Sequence, residues 1–193
     1  LGHVFKTQSD TEVVIHAFLQ WKEEAVHKFI GMFAFVLLDE EAHKVYLYRD
    51  RAGVKPLYYY WNNSNLIFGS ELKAIVKHPR FEKILSDKAV GYYFKMGYVP
   101  SPLSIYKNTF KLDPGHWGVL DLGTKELNIK KYWNSADYFQ KTKFEIDYEN
   151  AKNEVEKLLI SSCKYRLIAD VPVGVFLSGG YDSTAVAAIL QKD

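Results

Sequence analysis

A glycine-rich hexapeptide late in the chain, Ser178–Ser183, constrains the fold more than any other stretch of the sequence. It follows an apolar run, Val173–Leu177, which predicts a buried strand, and it precedes the helical pattern Thr184–Leu190. A strand, a glycine-rich loop and a helix in this order are typical of phosphate binding. Glycines let the backbone approach the anion, and the N–H groups at the helix start supply partial positive charge.

The same hexapeptide admits more than one interpretation. The carboxylate of Asp182 is a candidate ligand for a Mg²⁺ ion that bridges phosphate oxygens. The alternative is a tight turn capped by serine or aspartate, with no ligand. The G-x-x-x-x-G-K-[ST] signature of kinases and GTPases is absent. The loop resembles the SGGxDS loop of the ATP pyrophosphatases, and this resemblance implies cleavage of ATP between its α and β phosphates.

The overall charge and the cysteine count exclude several classes of partner. A net charge of +2 over 193 residues, with no Lys/Arg-rich run, argues against a nucleic-acid-binding surface. No apolar stretch approaches the length of a membrane span, so no membrane partner is expected. The one cysteine, Cys163, excludes an internal disulfide and suits a reducing compartment, which predicts a cytoplasmic location.

Short strands dominate the pattern of the first 133 residues. Ser9 or Asp10 can cap a helix whose apolar residues fall at helical spacing up to Trp21. The apolar run Phe29–Leu38 predicts a strand buried on both faces. The aromatic cluster Tyr92-Tyr93-Phe94 is interpreted as core or cross-strand contacts of a strand. Further predicted strands are Lys44–Tyr48, Leu57–Trp61, Leu66–Phe68 and the hairpin of Trp117–Leu122 with Leu127–Trp133.

A change of pattern divides the chain into two predicted domains. Residues 134–147 are polar and lack a clear period, which is typical of a linker, and a helix with one apolar face follows up to Arg166. We therefore predict one domain over 1–140 and a second over 141–193. One strand and two helices cannot build a nucleotide-binding sheet, so a fragment truncated at both ends is expected.

Six blocks of sequence together carry a more specific resemblance. The blocks are Ser9–Val13, Gly31–Phe35, Arg49–Tyr59, Ser70–Ala74, Asp170–Gly174 and Leu177–Gly180. In order and spacing they are similar to the glutamine-hydrolysing asparagine synthetases, over nearly the whole chain except the linker and the residues numbered in the 80s. The block around Arg49–Tyr59 is far more specific than the phosphate loop.

This resemblance implies a fold and a reaction. Residues 1–140 would be the C-terminal part of an α+β N-terminal-nucleophile glutaminase with antiparallel sheets. Residues 141–193 would open an α/β, Rossmann-like ATP-pyrophosphatase domain. The family hydrolyses glutamine and passes ammonia to the second domain, where MgATP activates the aspartate side chain as an acyl-adenylate. The implied substrates are glutamine, aspartate and ATP, with ATP and Mg²⁺ as cofactors.

The resemblance also implies roles for particular residues. Leu177 would present its backbone to the nucleotide. Asp10 would bind the α-amino group of glutamine, and its alternative role is a plain helix N-cap. The residues implied to hold pyrophosphate and its metal are Ser178, Gly179, Gly180, Asp182 and Ser183, with Asp182 as the magnesium ligand.

The sequence also departs from the family pattern. The family's nucleophile is a cysteine exposed as residue 1, where its α-amine acts as base. Leu1 stands here, and Cys163 is interpreted as a buried structural thiol of a helix. No catalytic residue is therefore predicted in this chain, which alone is expected to be inactive. A homodimer is allowed, because the sequence carries no signal for the oligomeric state.

Three alternatives stay open at this stage. Relatives of the family amidate sugar acids or close β-lactam rings, and a non-catalytic homologue would bind nucleotide or a partner. Arg49, Asp50 and Arg51 form either a catalytic electrostatic cluster or loop ion pairs that fix the turn at Gly53 and the domain interface. The six histidines show no metal-ligand spacing, which argues against a further metal site.

Overall fold

The computed structural model describes residues 2–191, and these form two compact units. The first unit ends at Gln140 and the second begins at Lys141. All the strands in the described residues belong to the first unit. None of the helices within residues 2–191 is long and apolar enough to cross a membrane.

The first unit combines two antiparallel sheets with helices, an α+β arrangement. Its strands are β1 Ala34–Asp39, β2 Lys44–Arg49, β3 Tyr58–Trp61, β4 Leu66–Gly69, β5 Thr109–Lys111, β6 His116–Asp121 and β7 Leu127–Lys131. Its helices are α1 Asp10–Trp21, a 3₁₀ helix Lys22–Lys28, α2 Leu72–Val76, α3 Asp87–Met96 and α4 Ala136–Phe139. The second unit contains α5 Tyr148–Arg166 and α6 Tyr181–Gln191.

The larger sheet has the strand order β1-β2-β6-β7, and the smaller has the order β4-β3-β5. Every pairing is antiparallel. Strand β2 lies inside the larger sheet because β6 returns along its free edge, with Tyr48 opposite Trp117. The sequence supplies aromatic and β-branched residues at these positions, and such residues pack well on a pleated surface.

Alternation along β2 builds a core on each face of the larger sheet. Successive side chains of a strand point to opposite faces, so Tyr46 and Tyr48 share one face and Leu47 occupies the other. The cluster against the helices contains Phe18, Val26, Tyr46, Tyr48 and Trp117. The cluster against the smaller sheet contains Leu47, Leu57, Tyr59 and Leu112. Each buried side chain of this size contributes about 1.5–3 kcal/mol of transfer free energy.

Capping side chains fix where the helices begin. Ser9 is the N-cap of α1, and its hydroxyl accepts a hydrogen bond from the backbone N–H of Thr11. Ser86 does the same for α3, whose C-terminal end is closed by Gly97 in the left-handed conformation, with φ of 78°. Asp147 caps α5. These caps satisfy backbone donors that have no intrahelical partner.

Most predicted elements of the first unit are confirmed, including the helix after Ser9 and the hairpin of β6 and β7. Two predictions are wrong. Strand β1 begins only at Ala34, because its partner β2 ends at Arg49, opposite that residue. It lies at the edge of the sheet, and its residues are half-buried or exposed rather than buried on both faces. Tyr92-Tyr93-Phe94 lies in α3 rather than in a strand, and its three side chains are exposed.

Two predictions for the second unit are confirmed and one is wrong. Helix α5 spans the predicted helical segment, and α6 covers the helical pattern Thr184–Leu190. Val173–Leu177 forms no strand, and its residues are exposed, with Phe176 at 99% exposure. The physical reason is the lack of a partner. The residues described in this unit include no second strand to receive its backbone hydrogen bonds.

Candidate functional site

The predicted phosphate loop lies immediately before α6, in the second unit. Ser178, Gly179 and Gly180 precede the first helical residue, Tyr181. Gly179 adopts φ of +80°, a conformation that favours glycine, and an added Cβ there would meet open space. The structure thus brings the loop to a helix N-terminus, as the sequence predicted.

Two hydroxyl groups close the loop on itself. Ser183 Oγ donates to the backbone oxygen of Gly180 at 3.1 Å, which uses its one hydrogen. Ser178 Oγ lies 2.9 Å from Ser183 Oγ and is therefore the donor of that pair. The first helical hydrogen bond runs from Thr184 N–H to Gly180 O, so earlier amides of the turn have no intrahelical acceptor.

The side chains around the loop suit a ligand that supplies its own oxygens. Asp182 is exposed in the first turn of α6, and Leu177 just before the loop is also exposed. Within residues 2–191, no three His, Cys, Asp or Glu side chains form a metal-binding group. Mg²⁺ is commonly held by one or two carboxylates together with substrate phosphates. A single carboxylate beside free amides fits that mode of binding.

Asp10 is the first residue of α1, in the first unit. The helix cap is Ser9, so the plain N-cap role considered for Asp10 belongs to its neighbour. The Asp10 carboxylate is exposed and accepts a long hydrogen bond of 3.5 Å from the hydroxyl of Thr11. A carboxylate on the first turn of a helix, open to solvent, can bind an ammonium group.

Glu12 is a residue of this region that the sequence reasoning missed. Its carboxylate accepts hydrogen bonds from the backbone N–H of Lys6 at 2.8 Å and of Thr7 at 2.7 Å, and from the Thr7 hydroxyl. The signal that could have found it is Ser9-x-x-Glu12, a capping-box pattern. The pattern predicts a hydrogen bond to the backbone N–H of Ser9, but the carboxylate accepts from residues two and three positions further back, Thr7 and Lys6.

These hydrogen bonds stabilise the ionised form of Glu12. The Thr7 hydroxyl has the largest effect, followed by the Lys6 amide, and together they lower the pKa of Glu12 from 4.5 to about 2. Because the folded pKa is the lower one, the contribution to stability is complete above about pH 4.5 and is lost as the pH falls through about 2.

We expect the Glu12 carboxyl to titrate with a midpoint near 2, as followed by its side-chain ¹³C chemical shift. Replacing Thr7 with alanine removes the strongest donor and is expected to move the midpoint toward 4.5. A midpoint near 4.5 in the unmodified chain would show that the hydrogen bonds to Glu12 do not form in solution.

The cluster Arg49-Asp50-Arg51 has a structural role, and the predicted ion pairs are wrong. Arg49 donates to the backbone oxygens of Gly53, Lys55 and Leu112, and Arg51 donates to those of His27 and Phe29. The ion pairs found within residues 2–191 do not involve these three residues. The prediction that the cluster fixes the turn at Gly53 is confirmed.

Asp50 is the centre of that cluster. Its side chain is 1% exposed. The carboxylate accepts hydrogen bonds from the backbone N–H groups of Phe33, Val54 and Lys55 at 3.2, 3.0 and 3.0 Å. A buried carboxylate with three backbone donors holds two loops together and is closed to a substrate.

Cys163, predicted to be buried, is half-buried in α5.

Two parts of the chain match known protein families. Residues 1–133 match the family described as the glutamine amidotransferase domain, and residues 154–193 match the family described as asparagine synthase. The first match covers most of the chain, including both antiparallel sheets. The chain therefore belongs to the glutamine amidotransferase family, and the α+β class predicted for its first part is confirmed.

The names of similar proteins point to a narrower group than the family descriptions do. The chain is 41% identical over 97% of its length to a protein of Methanocaldococcus jannaschii named as a glutamine-hydrolyzing asparagine synthetase. It is 36% and 35% identical to glutamine-hydrolyzing asparagine synthetases 3 and 2 of Bacillus subtilis, over 97% and 96% of the chain. These matches confirm the resemblance to that family. The chain spans 36%, 30% and 26% of the three relatives' lengths.

A solved structure is also similar. The glutamine phosphoribosylpyrophosphate amidotransferase of Bacillus subtilis, complexed with ADP and GMP, aligns with 99% of this chain and 39% of its own. The TM-score is 0.45 and the sequence identity is 16%.

Proposed function

We propose that this chain is part of an ATP-dependent, glutamine-hydrolysing asparagine synthetase. The enzyme would convert aspartate, glutamine and ATP to asparagine, glutamate, AMP and pyrophosphate through a β-aspartyl-adenylate. The observation that carries the proposal is the order of two matches within one chain: a glutamine amidotransferase domain at 1–133 and an asparagine synthase segment at 154–193. We place the domain boundary at 140/141 and the enzyme in the cytoplasm.

The loop before α6 would bind the pyrophosphate of ATP. Its free first-turn amides are donors suited to phosphate oxygens. The hydroxyls of Ser178 and Ser183 now bond within the loop and would turn from those contacts to donate to the phosphate. Gly179 and Gly180 leave space for the anion, and Leu177 would present its backbone to the nucleotide. When bound at Asp182, Mg²⁺ would neutralise charge on the phosphate oxygens. Positioning and charge stabilisation are what such a loop contributes to departure of pyrophosphate.

Asp10 would bind the α-ammonium group of glutamine. Its exposed carboxylate on the first turn of α1 supports this role, because an ionised pair with an ammonium group is a strong and directional contact. We assign no catalytic nucleophile to the described residues. The chain's one cysteine, Cys163, lies half-buried in α5, and position 1 lies outside the described residues.

The test is an assay of the gene product that carries this chain. With glutamine as nitrogen donor, we expect pyrophosphate release from ATP to depend on aspartate and to match asparagine formed in a ratio of about one. Release of pyrophosphate without aspartate would move the proposal to another carboxylate acceptor. Light scattering on the same sample measures whether the protein is a homodimer.

Replacing Asp182 with asparagine is expected to lower the rate of pyrophosphate release by about 100-fold, because the neutral amide is a poor magnesium ligand. Hydrolysis of glutamine, the other half of the reaction, is the internal reference. Glu154→Gln is the matched control, since Glu154 is an exposed carboxylate of α5 that pairs with Lys157. A D182N protein that releases pyrophosphate at the rate of the E154Q protein would refute the role of Asp182.

A further inference from the structure

The segment before α1 folds back onto the helix through one carboxylate. Lys6 and Thr7 donate both backbone N–H groups to Glu12, one to each oxygen. The Thr7 hydroxyl adds a third hydrogen bond to the same carboxylate. These contacts turn the chain direction just before the helix starts, because they hold residues five and six positions upstream against its first turn.

A continuous set of hydrogen bonds leads from Glu12 to Asp10. The Thr7 hydroxyl donates to Glu12 and accepts from the backbone N–H of Ser9 at 3.2 Å. The Ser9 hydroxyl in turn accepts from the backbone N–H of Thr11 at 3.2 Å. The Thr11 hydroxyl donates to Asp10 at 3.5 Å. Each of these hydrogen bonds holds one residue of the segment in place. The backbone position of that residue sets the direction of the next side chain.

The two carboxylates differ in what they can still bind. The Glu12 side chain is 17% exposed, and both of its oxygens already accept hydrogen bonds. On the helix side, His16 Nε2 lies 3.6 Å from Glu12 Oε1, and the ring of Phe5 packs edge-on against His16. The Asp10 carboxylate is exposed and holds one long contact. Asp10 is thus open to an ammonium group, whereas Glu12 is engaged by the protein itself.

We propose that Glu12 is a positioning residue for glutamine recognition: through Thr7 and Ser9 it fixes the entry into α1 and so sets the direction of the Asp10 carboxylate. This inference rests on the proposed function, in which Asp10 binds the glutamine ammonium group. Ser9 has an extended backbone, with φ of −77° and ψ of 136°, and its N–H donates to the Thr7 hydroxyl that Glu12 holds. Loss of the Glu12 contacts would let Asp10 sample other directions.

The experiment measures steady-state kinetics for glutamine and amide hydrogen exchange in the gene product. Glu12→Gln keeps the shape but turns an N–H₂ group toward the donors of Lys6 and Thr7. Thr7→Ala removes the bridging hydroxyl, and Thr7→Ser restores it. Glu24→Gln is the matched control, because Glu24 is an 81% exposed carboxylate of the 3₁₀ helix. Asp10→Asn tests the proposed function separately, and ammonia-dependent synthesis reports that each variant is folded.

We expect E12Q and T7A to raise KM for glutamine about tenfold with kcat nearly unchanged, the effect of losing one positioned hydrogen bond. T7S and E24Q should keep the parent's KM, and the amides of residues 6 and 7 should exchange faster in E12Q. Faster exchange with an unchanged KM would overturn the positioning role, as would unchanged exchange. A parent-like KM in D10N would instead overturn the assignment of Asp10, and with it the proposed glutamine site.

Discussion

Alanine at Gly115 is expected to destabilise the first unit by about 3–5 kcal/mol, the sum of a strained backbone and an overpacked side chain. Gly115 adopts φ of +66°, and an added Cβ would overlap the backbone oxygen of Trp133 more closely than real Cβ atoms come to any atom. The backbone cannot move aside, because Gly115 donates to Asp50 O at 3.0 Å and accepts from Tyr132 and Trp133.

Urea unfolding followed by tryptophan fluorescence measures this loss. Gly91→Ala is the matched control, because Gly91 lies inside α3 and, apart from its chain neighbours and its own helix backbone, no atom of the described residues comes within 4 Å of its added Cβ. There alanine is expected to stabilise by about 0.5–1 kcal/mol, since glycine is a poor helix former. If the two variants unfold at the same urea concentration, Gly115 is not constrained as the structure describes.

Replacing Asp50 with alanine is expected to cost about 3–5 kcal/mol, because three backbone N–H groups lose their acceptor in a buried place. Asp50→Asn should cost nearly as much, since its amide turns a donor toward donors. The loops that contain Phe33 and Lys55 should then exchange their amides faster than the sheet does.

The control for Asp50 is Asp137→Asn. Asp137 is an exposed carboxylate at 3.5 Å from Lys131, and its replacement should change stability by less than about 0.5 kcal/mol. Equal stabilities of the D50A and D137N proteins, measured by thermal unfolding, would contradict the role of Asp50 in holding its two loops together.

Local sequence was enough to predict those elements that a short residue pattern determines. Alternation in Lys44–Tyr48 predicted β2, and the serine cap predicted the start of α1. The Tyr92-Tyr93-Phe94 cluster was misassigned because aromatic residues favour strands. In the structure the segment is helical, with Ser86 as its N-cap and left-handed Gly97 at its C-terminal end, and these two residues satisfy backbone groups at both helix ends.

The candidate site shows the same division. The loop of Ser178–Gly180 and its helix follow from composition and spacing, and the structure has both. The strand expected before the loop does not follow, because a strand depends on a partner that its own residues do not specify. Glu12 was missed for a related reason: its donors lie upstream of the capping-box position, where a pattern counted forward from Ser9 does not look.

The hydrogen bond from Arg49 to Leu112 joins residues 63 positions apart. Strand β2 likewise gains its second neighbour in the sheet only after β6 has been synthesised. A ribosome that adds roughly 5–20 residues per second needs several seconds to make the intervening chain. During that time the hairpin of β1 and β2 leaves the ribosomal exit tunnel with one edge of β2 unpaired. The tyrosines of β2, Tyr46 and Tyr48, are not yet covered by Trp117. Newly made chains should therefore be most prone to aggregate, and most in need of a chaperone, in the interval before residue 121 emerges.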